Sequence, residues 1–265
     1  MKISLIITTY NWKEALGLSL KSVLHQEVLP LEVIVADDGS GEETGELIQA
    51  LAAHSPIPIV HSWQEDKGFR LARSRNRAIA QARGEYIILI DGDILLEKHF
   101  VLDHHQFARP GFFVQGTRVL LNKTLSEKVV QTGQLQSTFC RHGVENRKNC
   151  LRSNILARLF SFKSRRLRGV RTCNFAFWRQ DAVQVNGFNE EFVGWGREDS
   201  EFTVRLMNIG IRRQNIKFNA LAYHLYHPIS DRKHLAENDH ILQQTIDQKL
   251  CFCEHGLRQH MAGDG

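Results

Sequence analysis

The sequence predicts an α/β fold with a mainly parallel central sheet flanked by helices. Two observations carry this. Short apolar runs alternate with segments of helical spacing through the first third of the 265 residues. The connections between the runs are long enough to hold helices, so the runs pair as parallel neighbours through right-handed crossovers. Residues 2–8 are apolar and β-branched, the pattern of a strand buried on both faces. Residues 12–26 carry Ala15, Leu16, Leu20, Val23 and Leu24 at helical spacing. Residues 31–36 form a second strand. Residues 42–53 form a second helix, opened by Asp38-Gly39-Ser40-Gly41. Residues 57–61 read as a third strand and 71–83 as a helix that Gly84 closes as a C-cap. Residues 86–90 are a fourth strand ending at Asp91-Gly92-Asp93.

The pattern weakens over residues 123–171, a polar and basic insertion with some helix. It sharpens again with a strand at 173–178, a short helix at 179–185, an amphipathic helix at 200–209 and a strand at 220–226. The tail, 232–253, is predicted helical.

Composition narrows the class. Hydrophobic residues make up 42% and charged residues 24%, an ordinary globular balance. No apolar run approaches the roughly 20 residues that span a bilayer. The run Ile3-Ser4-Leu5-Ile6-Ile7 is too short for the apolar core of a leader, and no small-residue cleavage site follows. These features predict a cytoplasmic protein, at most peripheral on the inner face of the membrane. Five cysteines, Cys140, Cys150, Cys173, Cys251 and Cys253, are too irregular for a disulfide framework. Cys251-x-Cys253, with His255 and His260 nearby, lacks the second cysteine pair of a zinc site. The formal charge is +5, and much of the excess lies in Arg158, Lys163, Arg165, Arg166, Arg168 and Arg171, interleaved with Leu159, Phe160 and Phe162. A solvated loop accounts for such a stretch. So does contact with an anionic membrane surface or an anionic acceptor. No nucleic-acid-binding module surrounds it.

In an open parallel sheet, ligands bind beyond the carboxyl ends of the strands. Thr8, Tyr10 and Asn11 follow the first strand, Asp37 and Asp38 the second, Asp91 and Asp93 the fourth. Residues i and i+2 of an extended chain point to one side, so Asp91 and Asp93 suit a divalent cation, although a plain turn has the same composition. Residues 39–45 look like a dinucleotide fingerprint but carry the third glycine one place late, on the second strand, which disfavours hydride transfer. Arg70, Arg73 and Arg77 share a helix face at a helix start, where arginines suit phosphate oxygens. Gly194-Trp195-Gly196 forms a hinge-rich loop with a stacking surface, leading into Glu198 and Asp199 at a helix N-terminus. There a carboxylate serves as a base or simply complements the helix dipole. His224 and His227 flank the end of the last strand, where one of them can complete a metal site with Asp93.

These motifs, Thr8-Thr9-Tyr10-Asn11, Asp37-Asp38-Gly39-Ser40, Ala72-Arg73-Ser74-Arg75-Asn76 and Asp91-Gly92-Asp93, resemble those of the family 2 glycosyltransferases over about residues 1–120. Phe192-Val193-Gly194-Trp195-Gly196-Arg197-Glu198-Asp199 is similar to the galactosyltransferase-type module of bacterial chondroitin polymerases and β-1,4-galactosyltransferases, with Arg197 where a glycine is usual. The resemblance implies a GT-A (Rossmann-like) fold and an inverting transfer from a UDP-sugar to a glycan or glycolipid acceptor, in synthesis of a bacterial surface polysaccharide. It implies that Thr8, Tyr10, Asp38 and Arg73 hold the nucleotide. Asp91 would contact ribose and metal-bound water, and Asp93 and His224 would bind Mn²⁺ or Mg²⁺. Glu198 would hold the acceptor, Asp199 would be the general base, and Trp195 would close over the donor. On this reading residues 1–120 are the nucleotide-sugar half, 121–171 a variable insertion, 172–230 the acceptor half and 231–265 a tail. A metal-dependent nucleotidyltransferase is the first alternative, yet Thr9-Tyr10-Asn11-Trp12 replaces the glycine-rich loop such enzymes carry after the first strand. A non-catalytic glycan- or lipid-binding module is the second, and it has no need of two carboxylate sets. No nucleic-acid partner is expected.

Overall fold

The computed structural model describes residues 1–134, 142–228 and 231–261; Cys140 and part of the basic insertion lie outside them. Along the chain the elements are β1 (Ile3–Thr9), α1 (Lys13–Leu24), β2 (Glu32–Asp37), α2 (Glu42–Ala53), β3 (Ile59–Trp63), α3 (Leu71–Gln81), β4 (Tyr86–Asp91), β5 (Ile94–Leu96), α4 (Phe100–Phe107), β6 (Phe112–Gln115) and β7 (Val119–Leu120). They continue with α5 (Lys123–Thr132), α6 (Asn154–Phe160), β8 (Phe162–Ser164), β9 (Phe175–Trp178), α7 (Arg179–Gln184), α8 (Glu198–Asn208), β10 (Arg212–Asn215), β11 (Ala222–His224) and α9 (Leu235–Asp247).

The main sheet runs β3-β2-β1-β4-β9-β6-β10-β8, and a smaller one runs β5-β11-β7. The half built from β1 to β4 is parallel, as the crossover lengths require. Beyond β4 the sheet turns mixed, because β9 runs antiparallel to both β4 and β6. Alternation along β1 explains the layering. Leu5 and Ile7 pack with Leu16, Leu20, Val33 and Ile88 on one face, beneath α1 and α2. Ile6 packs with Ile34, Ile79, Leu89, Phe175 and Phe202 on the other, beneath α3 and α8.

Several boundaries differ from the sequence expectation. The helix expected over 71–83 ends at Gln81, and Gly84 is not its cap. A Cβ at Gly84 would lie 2.5 Å from the Ser4 backbone nitrogen, so this glycine lets the chain entering β4 cross against β1. The tail helix spans only Leu235–Asp247, and Lys249, with φ of 52°, turns the chain out of it. Within the basic insertion, Phe162–Ser164 joins the main sheet as an antiparallel edge strand on β10.

Strand register positions the polar residues. Thr8 pairs with Asp91 and Thr9 with Asp37, so the carboxyl ends of β1, β2 and β4 share one edge. β11 lies antiparallel to β5 with His224 opposite Ile94, and the Leu225 N–H donates to the Asp93 carbonyl at 3.0 Å. That pairing brings a histidine from late in the chain beside Asp93.

Candidate active site

The residues expected to hold a nucleotide gather at the β1–β2 edge. Asp38 is buried and accepts from the Arg70 backbone N–H at 2.8 Å and from the Gln64 amide. Burial pushes its carboxyl up from the ordinary range. Gln64 also accepts from Arg73 at 2.8 Å, so Asp38, Gln64 and Arg73 form one connected wall. Tyr10 is 51% exposed at the rim and donates to Asp66 at 2.9 Å. Thr8 is buried and donates to Asp91 at 2.9 Å, which orients that carboxylate at the end of β4. Arg77, expected to share the arginine face, instead caps the Trp63 carbonyl.

Asp93, His224 and His227 offer three ligand atoms within 4.8 Å of one another. Asp93 Oδ2 lies 3.5 Å from His224 Nε2 and 3.3 Å from His227 Nε2, so both histidines reach it. Asp93 Oδ1 is buried without a hydrogen-bond partner. Burial and the neighbouring Asp91 charge push the Asp93 carboxyl up to about 8. Burial and the Arg118 guanidinium hold His224 down to about 4. A neutral imidazole and a buried carboxylate oxygen in want of a partner form a donor set that fits a divalent cation.

The second carboxylate set opens α8. Gly194, Gly196 and Arg197 all have positive φ, at 75°, 104° and 79°. The left-handed conformation of Arg197 explains why glycine suits this position. Asn238 of α9 donates to the Val193 and Gly196 carbonyls, pinning both ends of the loop that carries Trp195. Trp195 is exposed, with Arg232 5.1 Å from its ring centre. Farther along α8, Arg205 and Glu201 form a buried ion pair within the helix; Arg205 also donates to the Val185 carbonyl and Glu201 accepts from Thr245 of α9, which tie the helix to its neighbours. Asp199 is half-buried, and desolvation together with adjacent Glu198 pushes its carboxyl up to about 7. The helix dipole alone would lower it, so burial wins here.

Arg75 joins the two sets, and sequence reasoning missed it. Its side chain is 2% exposed, between Glu198 at 3.0 Å and Asp91 at 3.6 Å. It also donates to Thr172 at 2.7 Å and lies over the Phe188 ring. One guanidinium thus holds the start of α8 against the end of β4. The signal was present: Arg75 follows Ala72 by three and precedes Ile79 by four, on the apolar face of α3. Cys251, Cys253 and His260 serve other contacts. Cys253 packs its thiol against the Asn186 carbonyl, and His260 bonds Glu190.

The model of glycosyl transferase family 2 matches residues 4–171, and the chain belongs to that family. The N-terminal domain of galactosyltransferase matches residues 155–228. The chain is 26% identical to chondroitin synthase of Escherichia coli over 94% of its own length and 38% of that protein. It is 25% identical to a GalNAc(5)-diNAcBac-PP-undecaprenol beta-1,3-glucosyltransferase of Campylobacter jejuni, covering 73% of this chain and 56% of that one. The chain therefore spans well under two thirds of these relatives. Among solved structures, TarS of S. aureus superposes with a TM-score of 0.65 at 20% identity, over 98% of this chain and 41% of that one. The GT-A fold expected from the sequence is present. A shorter form of TarS has been solved with UDP and with UDP-GlcNAc.

Proposed function

We propose that the protein transfers a hexose or N-acetylhexosamine from a UDP-sugar to a hydroxyl of a glycan acceptor, with inversion, in synthesis of a surface polysaccharide. The observation that carries this reading is the Arg75 bridge, which sets a carboxylate helix start beside the Asp91 strand end and next to the Asp93–histidine cluster. The wall of Asp38, Gln64 and Arg73, with Tyr10 at its rim, supports a nucleotide site in residues 1–120. The structural neighbour TarS has been solved with UDP, which supports a UDP donor. Asp93 with His224 would hold Mn²⁺ or Mg²⁺, and His227 is close enough to assist. When bound, the cation supplies Lewis-acid stabilisation of the departing diphosphate. Asp199 takes the proton of the attacking acceptor hydroxyl, and Glu198, held by Arg75, orients that acceptor. Trp195 offers an exposed face for the donor sugar.

No helix among the described residues is long and apolar enough to cross a membrane. On and just after α6, Ile155 at 74% and Leu159 at 71% exposure stand beside Phe160, Arg158 and Lys163. An apolar stripe edged by cations supports peripheral contact with an anionic membrane surface from the cytoplasmic side.

A donor screen tests the function. The purified protein, with manganese or magnesium, is expected to release UDP from one UDP-sugar of a panel and to show no release from GDP- or CMP-sugars. Release from a GDP-sugar alone would contradict the donor assignment.

A further inference from the structure

A cavity of about 460 Å³ opens between the end of β6, the segment 162–173 and β10. Its volume suits a small ligand or a glycan terminus. It is lined by Arg118, Arg166, Arg168, Arg171, Arg213 and Lys217, and by no carboxylate. None of the residues assigned to the nucleotide lines it.

The cations do different work. Arg213 is buried and donates to the carbonyls of Arg166, Arg168 and Gly169 at 3.0–3.2 Å, strapping the 166–169 loop over β10. Arg166 and Arg168 line the cavity from that loop. The Arg171 backbone is tied on both sides to Gln115, which fixes where its side chain departs. Among the described residues, no ion pair engages Arg166, Arg168 or Arg171. Arg118 reaches the Cys173 thiol at 3.6 Å and leaves its buried Nε unpartnered.

Like charges around a small cavity repel one another, and a multiply charged anion removes that cost. Guanidinium forks match phosphate oxygens in shape. A single carboxylate would offset fewer of these charges than a phosphate, which carries about −2. We infer that this cavity is a further acceptor subsite, beyond the hydroxyl-bearing sugar that Glu198 orients, and that it takes a phosphate carried by the acceptor. The inference rests on the transferase reading and names its acceptor class. The phosphate belongs either to a soluble phosphorylated glycan or to a lipid-linked diphosphate, whose tail would leave past the exposed Phe162 at the rim.

The test uses the protein saturated with UDP and magnesium, so that the donor site is filled. Inorganic phosphate is then titrated by calorimetry into the wild type and into Arg166→Ser/Arg168→Ser. Both side chains are exposed, and the strap bonds use only their backbone carbonyls, so the variant keeps the fold. Phosphate is expected to bind the wild type and to weaken about tenfold or more in the variant, given the worth of charge-assisted bonds. UDP affinity should be the same in both. A flotation arm compares phosphatidylcholine vesicles with and without polyprenyl diphosphate. Retention on the doped vesicles by the wild type only assigns the phosphate to a lipid carrier, and phosphate binding without retention assigns it to a soluble glycan. Equal phosphate binding by the two proteins, none by the wild type, or equally tight binding of glucuronate would overturn the proposal. Failure of the transferase reading shows separately, as absence of UDP binding at the outset.

Discussion

Asp199→Asn is expected to lower turnover by on the order of 10²–10⁴-fold, the usual worth of general-base assistance, while leaving UDP affinity unchanged. The substitution keeps the size of the side chain and removes its capacity to take a proton. Asp199 makes no contact with the nucleotide wall, so the donor has no reason to notice. The pH profile carries the same expectation. A base must be ionised to act, and burial beside Glu198 pushes Asp199 up to about 7. Turnover should therefore rise with pH through about 7 and level off above it. An Asp199→Asn protein that keeps most of its turnover, or a flat profile between pH 6 and 8 (roughly a unit either side of that midpoint), would exclude Asp199 as the base.

Arg75→Met is expected to cost about 3–5 kcal/mol of stability, because it leaves Glu198 buried without its partner. For a chain of this size that is a fall on the order of 10 °C in Tm. Transfer should fall as well, since Asp91 and the start of α8 lose the group that holds them together. The double change Arg75→Met/Glu198→Gln separates these effects. It removes both charges, so stability should recover in large part while transfer stays low. A thermal scan showing Arg75→Met as stable as the wild type would mean that the bridge does not hold α8.

Much of this site was legible because parallel strands buried on both faces read as unbroken apolar runs, and their ends announce the ligand edge. Thr8, Asp38, Asp91 and Asp93 were assigned to that edge in this way, and the strand register sets them there. Arg75 was not, because its partner lies 123 residues away: its place on the apolar face of α3 marks it as buried but does not name the carboxylate it meets. The strand Phe162–Ser164 carries no apolar alternation, and its place in the sheet depends on β10, far along the chain. Gly84 illustrates a different limit: a glycine after a helix suits a cap, and only the nearness of Ser4 reveals that it serves a close crossing. The cavity of cations was visible as composition only in part. Arg118, Arg213 and Lys217 stand apart from the basic stretch and meet it through the fold.

The reading as a whole turns on a cation held by Asp93 and His224. UDP binding by calorimetry, with and without manganese, addresses it directly in the wild type, Asp93→Ala and His224→Ala. Manganese is expected to tighten UDP binding in the wild type, to have no effect in Asp93→Ala, and to have a much reduced effect in His224→Ala. The same manganese-dependent gain in all three proteins would contradict the account.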